Sequence, residues 1–146
     1  MDNTLSIYES RGYKFYCRSD DTDLDAIKEI FENKVYEQFF DIQPNELWLD
    51  LGSYIGDFAI RAIECGAQVC AVEPFPDAYR MLLKNLHLNN IAVGKCYPIY
   101  GAVVSQQTSD IMPIYDVHSK SSKGQGYSMI NAPGYTKSTI GNSPCF

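Results

Sequence analysis

Residues Leu47-Trp48-Leu49-Asp50-Leu51 run almost wholly apolar into Gly52, and four positions later Gly56 opens a segment whose apolar residues Phe58, Ala59, Ala62 and Ile63 recur at helical spacing. The short apolar run predicts a strand buried on both faces, as in a parallel sheet. The helical spacing predicts an amphipathic helix from Asp57 to Cys65, closed by Gly66 at the position that favours a left-handed residue. Strand, glycine loop and helix in direct succession confine the chain to the α/β class.

The same alternation continues. Gln68–Val72 reads as a second strand ending on Glu73-Pro74, and Asp77 opens a helix carrying Ala78, Met81, Leu82 and Leu86, closed near Asn89-Asn90. A third strand falls between Cys96 and Val104. Upstream, Asp23 is a plausible N-cap for a helix over 23–33 with Leu24, Ile27, Ile30 and Phe31 on its apolar face. Past Ser105 the composition turns to Ser, Gly, Lys and Asn, with apolar pieces at 111–115 and 127–130 that can pair as a hairpin. The expected fold is a Rossmann-like α/β domain with a mostly parallel sheet and helices on both faces, incomplete at its C-terminal side. Its parts are an N-terminal segment (1–46), a strand–helix core (47–104) and a tail (105–146). In a complete doubly wound sheet the first strand is central. Here its second neighbour is not evident, so an apolar edge awaits the tail, a second copy of the chain or a partner chain.

The chain has 146 residues and a net charge of −6, which disfavours partners bound by phosphate neutralisation, nucleic acid included. Its five cysteines show no CxxC spacing, so a reduced, cytoplasmic setting is expected. No apolar stretch reaches the roughly 18 residues of a membrane span, and the N-terminus does not read as a secretion signal. Asp20, Asp21, Asp23 and Asp25 lack the glycine and glutamate spacing of a calcium loop, so no metal site is expected.

Chemistry concentrates at Asp50-Leu51-Gly52-Ser53-Tyr54-Ile55-Gly56, with Glu73 following Gly56 by 17 residues, near the spacing of a ribose-binding acid. Ser53 occupies the position where a pyrophosphate would need glycine. Asp50 brings a negative charge that repels pyrophosphate and favours a cationic amino group or sulfonium. The glycines also suit an ordinary tight turn. Taken with Glu73, they point to S-adenosylmethionine rather than NAD.

These residues resemble the FkbM-type methyltransferases. The likeness is carried by Leu49–Phe58 at the loop, by Val72-Glu73-Pro74-Phe75-Pro76 with Leu83–Asn90 after it, and by Arg18–Leu24 upstream. It covers residues 13 to about 105. The resemblance implies an O-methyltransferase fold with Gly52–Gly56 under the methionine part of the cofactor, Glu73 and Pro74 at the ribose, and Ala102 near the adenine. Tyr54 stands where the family usually has asparagine. The implied acceptor is a hydroxyl of a small molecule or sugar; the alternative is a shortened non-catalytic relative acting as a binding module. The sequence assigns no catalytic base, and Asp116 and His118, read as loop residues, are the remaining candidates.

Overall fold

The computed structural model describes residues 5–18, 22–104, 111–118, 125–128 and 136–144, with the stretches between 111 and 143 as backbone. The fold is Rossmann-like. Strands β3 (Leu47–Leu51), β4 (Gln68–Glu73) and β5 (Cys96–Tyr100) run parallel in the order β3-β4-β5, joined by α2 (Asp57–Glu64) and α3 (Pro76–Leu88). Two right-handed crossovers advancing in one direction place both helices on the same face. There Ala59, Ile60 and Ala62 of α2 and Met81, Leu82 and Leu86 of α3 share a core with Val69 and Ala71.

The opposite face is open. Leu47, Leu49 and Leu51 are 72%, 61% and 54% exposed, and Tyr97 and Ile99 of β5 continue the apolar strip across the sheet. Among the described residues β3 pairs only with β4. The strand expected to be buried on both faces is thus covered on one, because both crossover helices pack on the face opposite its leucines.

Upstream, β1 (Leu5–Ser10) and β2 (Tyr13–Arg18) form an antiparallel hairpin that the sequence reading did not anticipate. Its two-residue turn, Arg11-Gly12, has φ of 55° and 83°, the double left-handed geometry that matches strand twist. The helix expected over 23–33 forms as α1 (Asp23–Ile27) continued by a π-helical turn over Lys28–Glu32. Asp23 does not cap it. Thr22 takes the N-cap position, and the fully buried Asp23 accepts the Arg18 amide at 2.8 Å and its guanidinium at 2.6 and 3.0 Å. α3 begins at Pro76, one residue before Asp77, since proline is preorganised for the first helical position. An edge-on contact between Phe15 and Phe31, 5.1 Å between ring centres, docks the hairpin on the core.

The third sheet is antiparallel, order β7-β6-β8, from β6 (Ile111–His118), β7 (Gln125–Ser128) and β8 (Thr136–Pro144). Tyr115 lies opposite Ser128 and Asp116 opposite Tyr127. Asp116 and His118 therefore belong to a strand rather than a loop: in-register pairing with two neighbours overrides their polar composition. The Pro144 carbonyl accepts the Ala102 amide at 2.7 Å and joins β8 to the end of β5. Asp20, Asp21 and Ile130 lie outside the described residues.

Candidate functional site

Parallel strands direct their carboxyl ends to one rim, where ligands of open α/β sheets bind. Here β3 passes directly into the glycine loop. The Gly52 and Ser53 amides both donate to the Val72 carbonyl, at 2.8 and 3.1 Å, and the Gly56 amide closes the turn on Ser53 O at 2.8 Å. Gly52 has φ +86° and a side chain there would meet nothing within 4 Å; Gly56 has φ +87°, and a Cβ there would lie 2.6 Å from Leu82 Cδ1. One glycine leaves open space beside the loop, and the other lets α3 approach.

Glu73, only 2% exposed, organises the rim. Its Oε2 accepts the Tyr54 amide at 2.7 Å and its Oε1 the Phe75 amide at 2.8 Å, so its side chain joins the glycine loop to the start of α3. Burial pushes this carboxyl up to about 7, against the pull of those two amides. Each oxygen keeps lone-pair capacity beyond its one amide.

Asp50 and Asp57 are the other buried acids. Asp50 Oδ2 is buried with no hydrogen-bond partner, and burial raises its carboxyl to about 6, opposed by Ser53. Asp57, 8% exposed at the first turn of α2, is raised to about 7 by burial and then by the charge of Asp50. A cavity of about 250 Å³ joins Asp50, Gly52, Ser53 and Tyr54, and adds Asp57 and Glu29. Tyr36 and Phe58, ring centres 5.7 Å apart and edge to face, form its aromatic side.

The remaining expected residues lie around this cavity. Ser53 is 2% exposed and its hydroxyl donates to Asp50 O at 3.0 Å, so it braces the loop. Tyr54 holds a left-handed φ of 49°; its ring lies 5.3 Å from the Arg18 guanidinium, and its hydroxyl is 3.3 Å from Thr22 Oγ1. The ring is thereby turned toward the N-terminal segment. Ala102 is 2% exposed beside the end of β4, where the Gly101 amide donates to Glu73 O at 3.1 Å. Gly56, Glu73, Pro74 and Ala102 do not line the acidic cavity; Glu73 reaches it through the Tyr54 amide.

Sequence reasoning missed Asp57 and Glu29 as site residues, although Asp57 directly follows Gly56 and Glu29 precedes the apolar Ile30 by one position. It also missed Arg18, whose partnership with Asp23 and Tyr54 depends on the hairpin. Among the described residues no group of three His, Cys, Asp or Glu is placed to hold a metal, and no helix is long and apolar enough to cross a membrane. Chemically the rim is rich in buried acceptors. It suits a ligand that brings hydroxyl donors and a compact positive charge.

No family model and no curated protein matches the sequence. Solved structures do match. M. jannaschii TYW2, in complex with AdoMet, is 25% identical with a TM-score of 0.53, the match covering 68% of this chain and 44% of that one. P. horikoshii TYW2, in complex with MeSAdo, is 19% identical at a TM-score of 0.50, over 71% and 45%. A SAM-dependent methyltransferase from Agrobacterium tumefaciens is 16% identical at 0.50, over 65% and 31%. The chain spans less than half the length of each, and the likeness is one of fold: that of S-adenosylmethionine-dependent methyltransferases.

Proposed function

We propose that this chain is the cofactor-binding part of an S-adenosylmethionine-dependent methyltransferase that acts on a hydroxyl of a small molecule or sugar. The observation that carries the reading is the buried, partnerless Oδ2 of Asp50, a residue that also lines the acidic cavity at the glycine loop. A buried acceptor without a donor is costly, and an ammonium group supplies both donor and charge. The residues present fit the cofactor: Asp50 for its amino group, the open side of Gly52 for its methionine chain, and the free lone pairs of Glu73 for its ribose hydroxyls. The AdoMet and MeSAdo held by the two TYW2 structures support this assignment. When bound, the cofactor supplies an electrophilic methyl group on a sulfonium.

The chain's own contribution is orientation, since holding reacting atoms about 3–3.5 Å apart accounts for most of such a transfer. Glu73 fixes the nucleoside end, while the glycine loop and the Asp50 cavity hold the amino-acid end. The FkbM-type resemblance of Leu49–Phe58 and Val72–Pro76 supports a hydroxyl acceptor. The four described cysteines, Cys17, Cys65, Cys70 and Cys96, are free, which supports a reducing, cytoplasmic setting. We read the N-terminal segment (1–46) as contributing one wall of the site through Ala26, Glu29, Ile30 and Tyr36, 47–104 as the core of the site, and strands β6–β8 of the tail (105–146) as an appended sheet.

A second reading, a non-catalytic module completed by a partner, is favoured by the open leucine face of β3. Isothermal titration with S-adenosylhomocysteine, with NAD as control, tests the first. Micromolar binding of the former alone is expected. A folded, monodisperse chain that binds neither, or binds NAD instead, overturns it.

A further inference from the structure

Asn85 is fully buried in the last turn of α3, yet neither end of its side chain bonds within its own helix. Its Nδ2 donates to the Ile55 carbonyl of the glycine loop at 2.9 Å, and its Oδ1 accepts the Tyr16 amide of β2 at 2.7 Å. These partners are 30 and 69 residues away in sequence. A fully buried amide is tolerated only when its donors and acceptor are matched, so both bonds specify the geometry around them.

The Ile55 carbonyl belongs to the peptide that leads into Gly56, whose left-handed φ of +87° starts α2. Holding that carbonyl fixes the peptide plane, and with it the Gly56 amide that closes the loop on Ser53 at 2.8 Å. Two peptides earlier, the Ser53–Tyr54 peptide is held by Glu73 through the Tyr54 amide. On the hairpin, alternate outward amides of β2 are taken by different side chains: Lys14 by Asn89 at 2.8 Å, Tyr16 by Asn85 and Arg18 by Asp23. Asn89 also donates to Lys14 O at 2.7 Å, so it fastens the hairpin as firmly as Asn85 does, but its bonds do not include the loop.

We propose that Asn85 is a positioning residue for the cofactor loop and couples that loop to the N-terminal hairpin. The inference rests on the glycine loop holding S-adenosylmethionine. Asn85→Asp keeps an acceptor for Tyr16 and loses the donor to Ile55; S-adenosylhomocysteine affinity is expected to fall about tenfold or more, the scale of one lost buried hydrogen bond. Asn89→Ala should lower the thermal midpoint while leaving affinity within about twofold. In the wild-type chain, adding S-adenosylhomocysteine should slow hydrogen exchange at the Tyr16 amide along with residues 54–57, and leave the Lys14 amide unchanged. That measurement decides the matter if Asn85→Asp does not fold. Indifference of the Tyr16 amide, or equal loss of affinity in the two variants, overturns the proposal. If the wild-type chain binds no S-adenosylhomocysteine, the cofactor reading fails separately; faster Gly56 exchange in Asn85→Ser than in Asn89→Ala then upholds the role of Asn85, and equal exchange ends it.

Discussion

The Glu73 carboxylate accepts the Tyr54 amide at 2.7 Å, tying the end of β4 to the glycine loop across 19 residues of sequence. A residue placed by its spacing as a ribose acceptor is therefore also a structural brace of the loop it faces.

Glu73→Ala should weaken S-adenosylhomocysteine binding by about 1.5–3 kcal/mol, the scale of hydrogen bonds to a charged group. It also orphans the Tyr54 and Phe75 amides, so urea denaturation should show lost stability in the same variant. Unchanged affinity by titration removes Glu73 from the cofactor site.

Asp50→Asn should separate stability from binding. The folded-state pKa of Asp50 stands above its unfolded value, so the native state holds the proton more tightly. Its stability contribution is full below about 3.8 and is lost as pH rises through about 6. Measured against Asp50→Asn, the wild-type chain should lose about 1–3 kcal/mol across that window and run parallel above it. Urea titrations from pH 3.5 to 8 check this, and a constant difference refutes the buried, partnerless carboxylate.

Gly52→Ala and Gly56→Ala should fail differently. Both impose a side chain on a left-handed φ, but only Gly56→Ala drives a methyl to 2.6 Å from Leu82 Cδ1. Gly56→Ala should lose roughly 2–4 kcal/mol of stability, strain and overpacking together. Gly52→Ala should cost roughly 1 kcal/mol of stability and disproportionately reduce cofactor affinity, because its methyl enters the open side of the loop. Thermal melts beside titrations distinguish the two.

Leu49→Lys tests the open sheet face. Leu49 is 61% exposed between Leu47 and Leu51 on a strand with one described partner, an arrangement that invites pairing with another chain. Light scattering should find the wild-type chain self-associated and Leu49→Lys shifted toward the monomer. A wild-type monomer of unchanged mass excludes a second copy as the cover.

The strand–loop–helix order was legible because each part is encoded locally. The apolar run of Leu47–Leu51, the helical spacing after Gly56 and the left-handed position of Gly66 are properties of contiguous residues. The N-terminal hairpin is encoded by Arg11-Gly12 between two segments rich in strand formers, a weaker local signal than the helical spacing after Asp23. Helix starts moved by one position: Thr22 rather than Asp23 stands at the N-cap of α1, because Asp23 turns its carboxylate to Arg18, and α3 begins at Pro76, whose ring is preorganised for a first helical residue.

By itself the sequence determined the α/β class, the glycine loop and the presence of Asp50 and Glu73 near it, since periodicity, turn residues and short spacings survive without knowledge of the fold. Tertiary structure alone decided that Asp50 keeps an unpartnered oxygen, that Asp57 and Glu29 join its cavity, that Asn85 bridges loop and hairpin, and that among the described residues β3 pairs with β4 alone. Each of these depends on which strands pair and on which face the crossovers lie. That choice brings residues far apart in sequence to within hydrogen-bonding distance, and no local pattern records it.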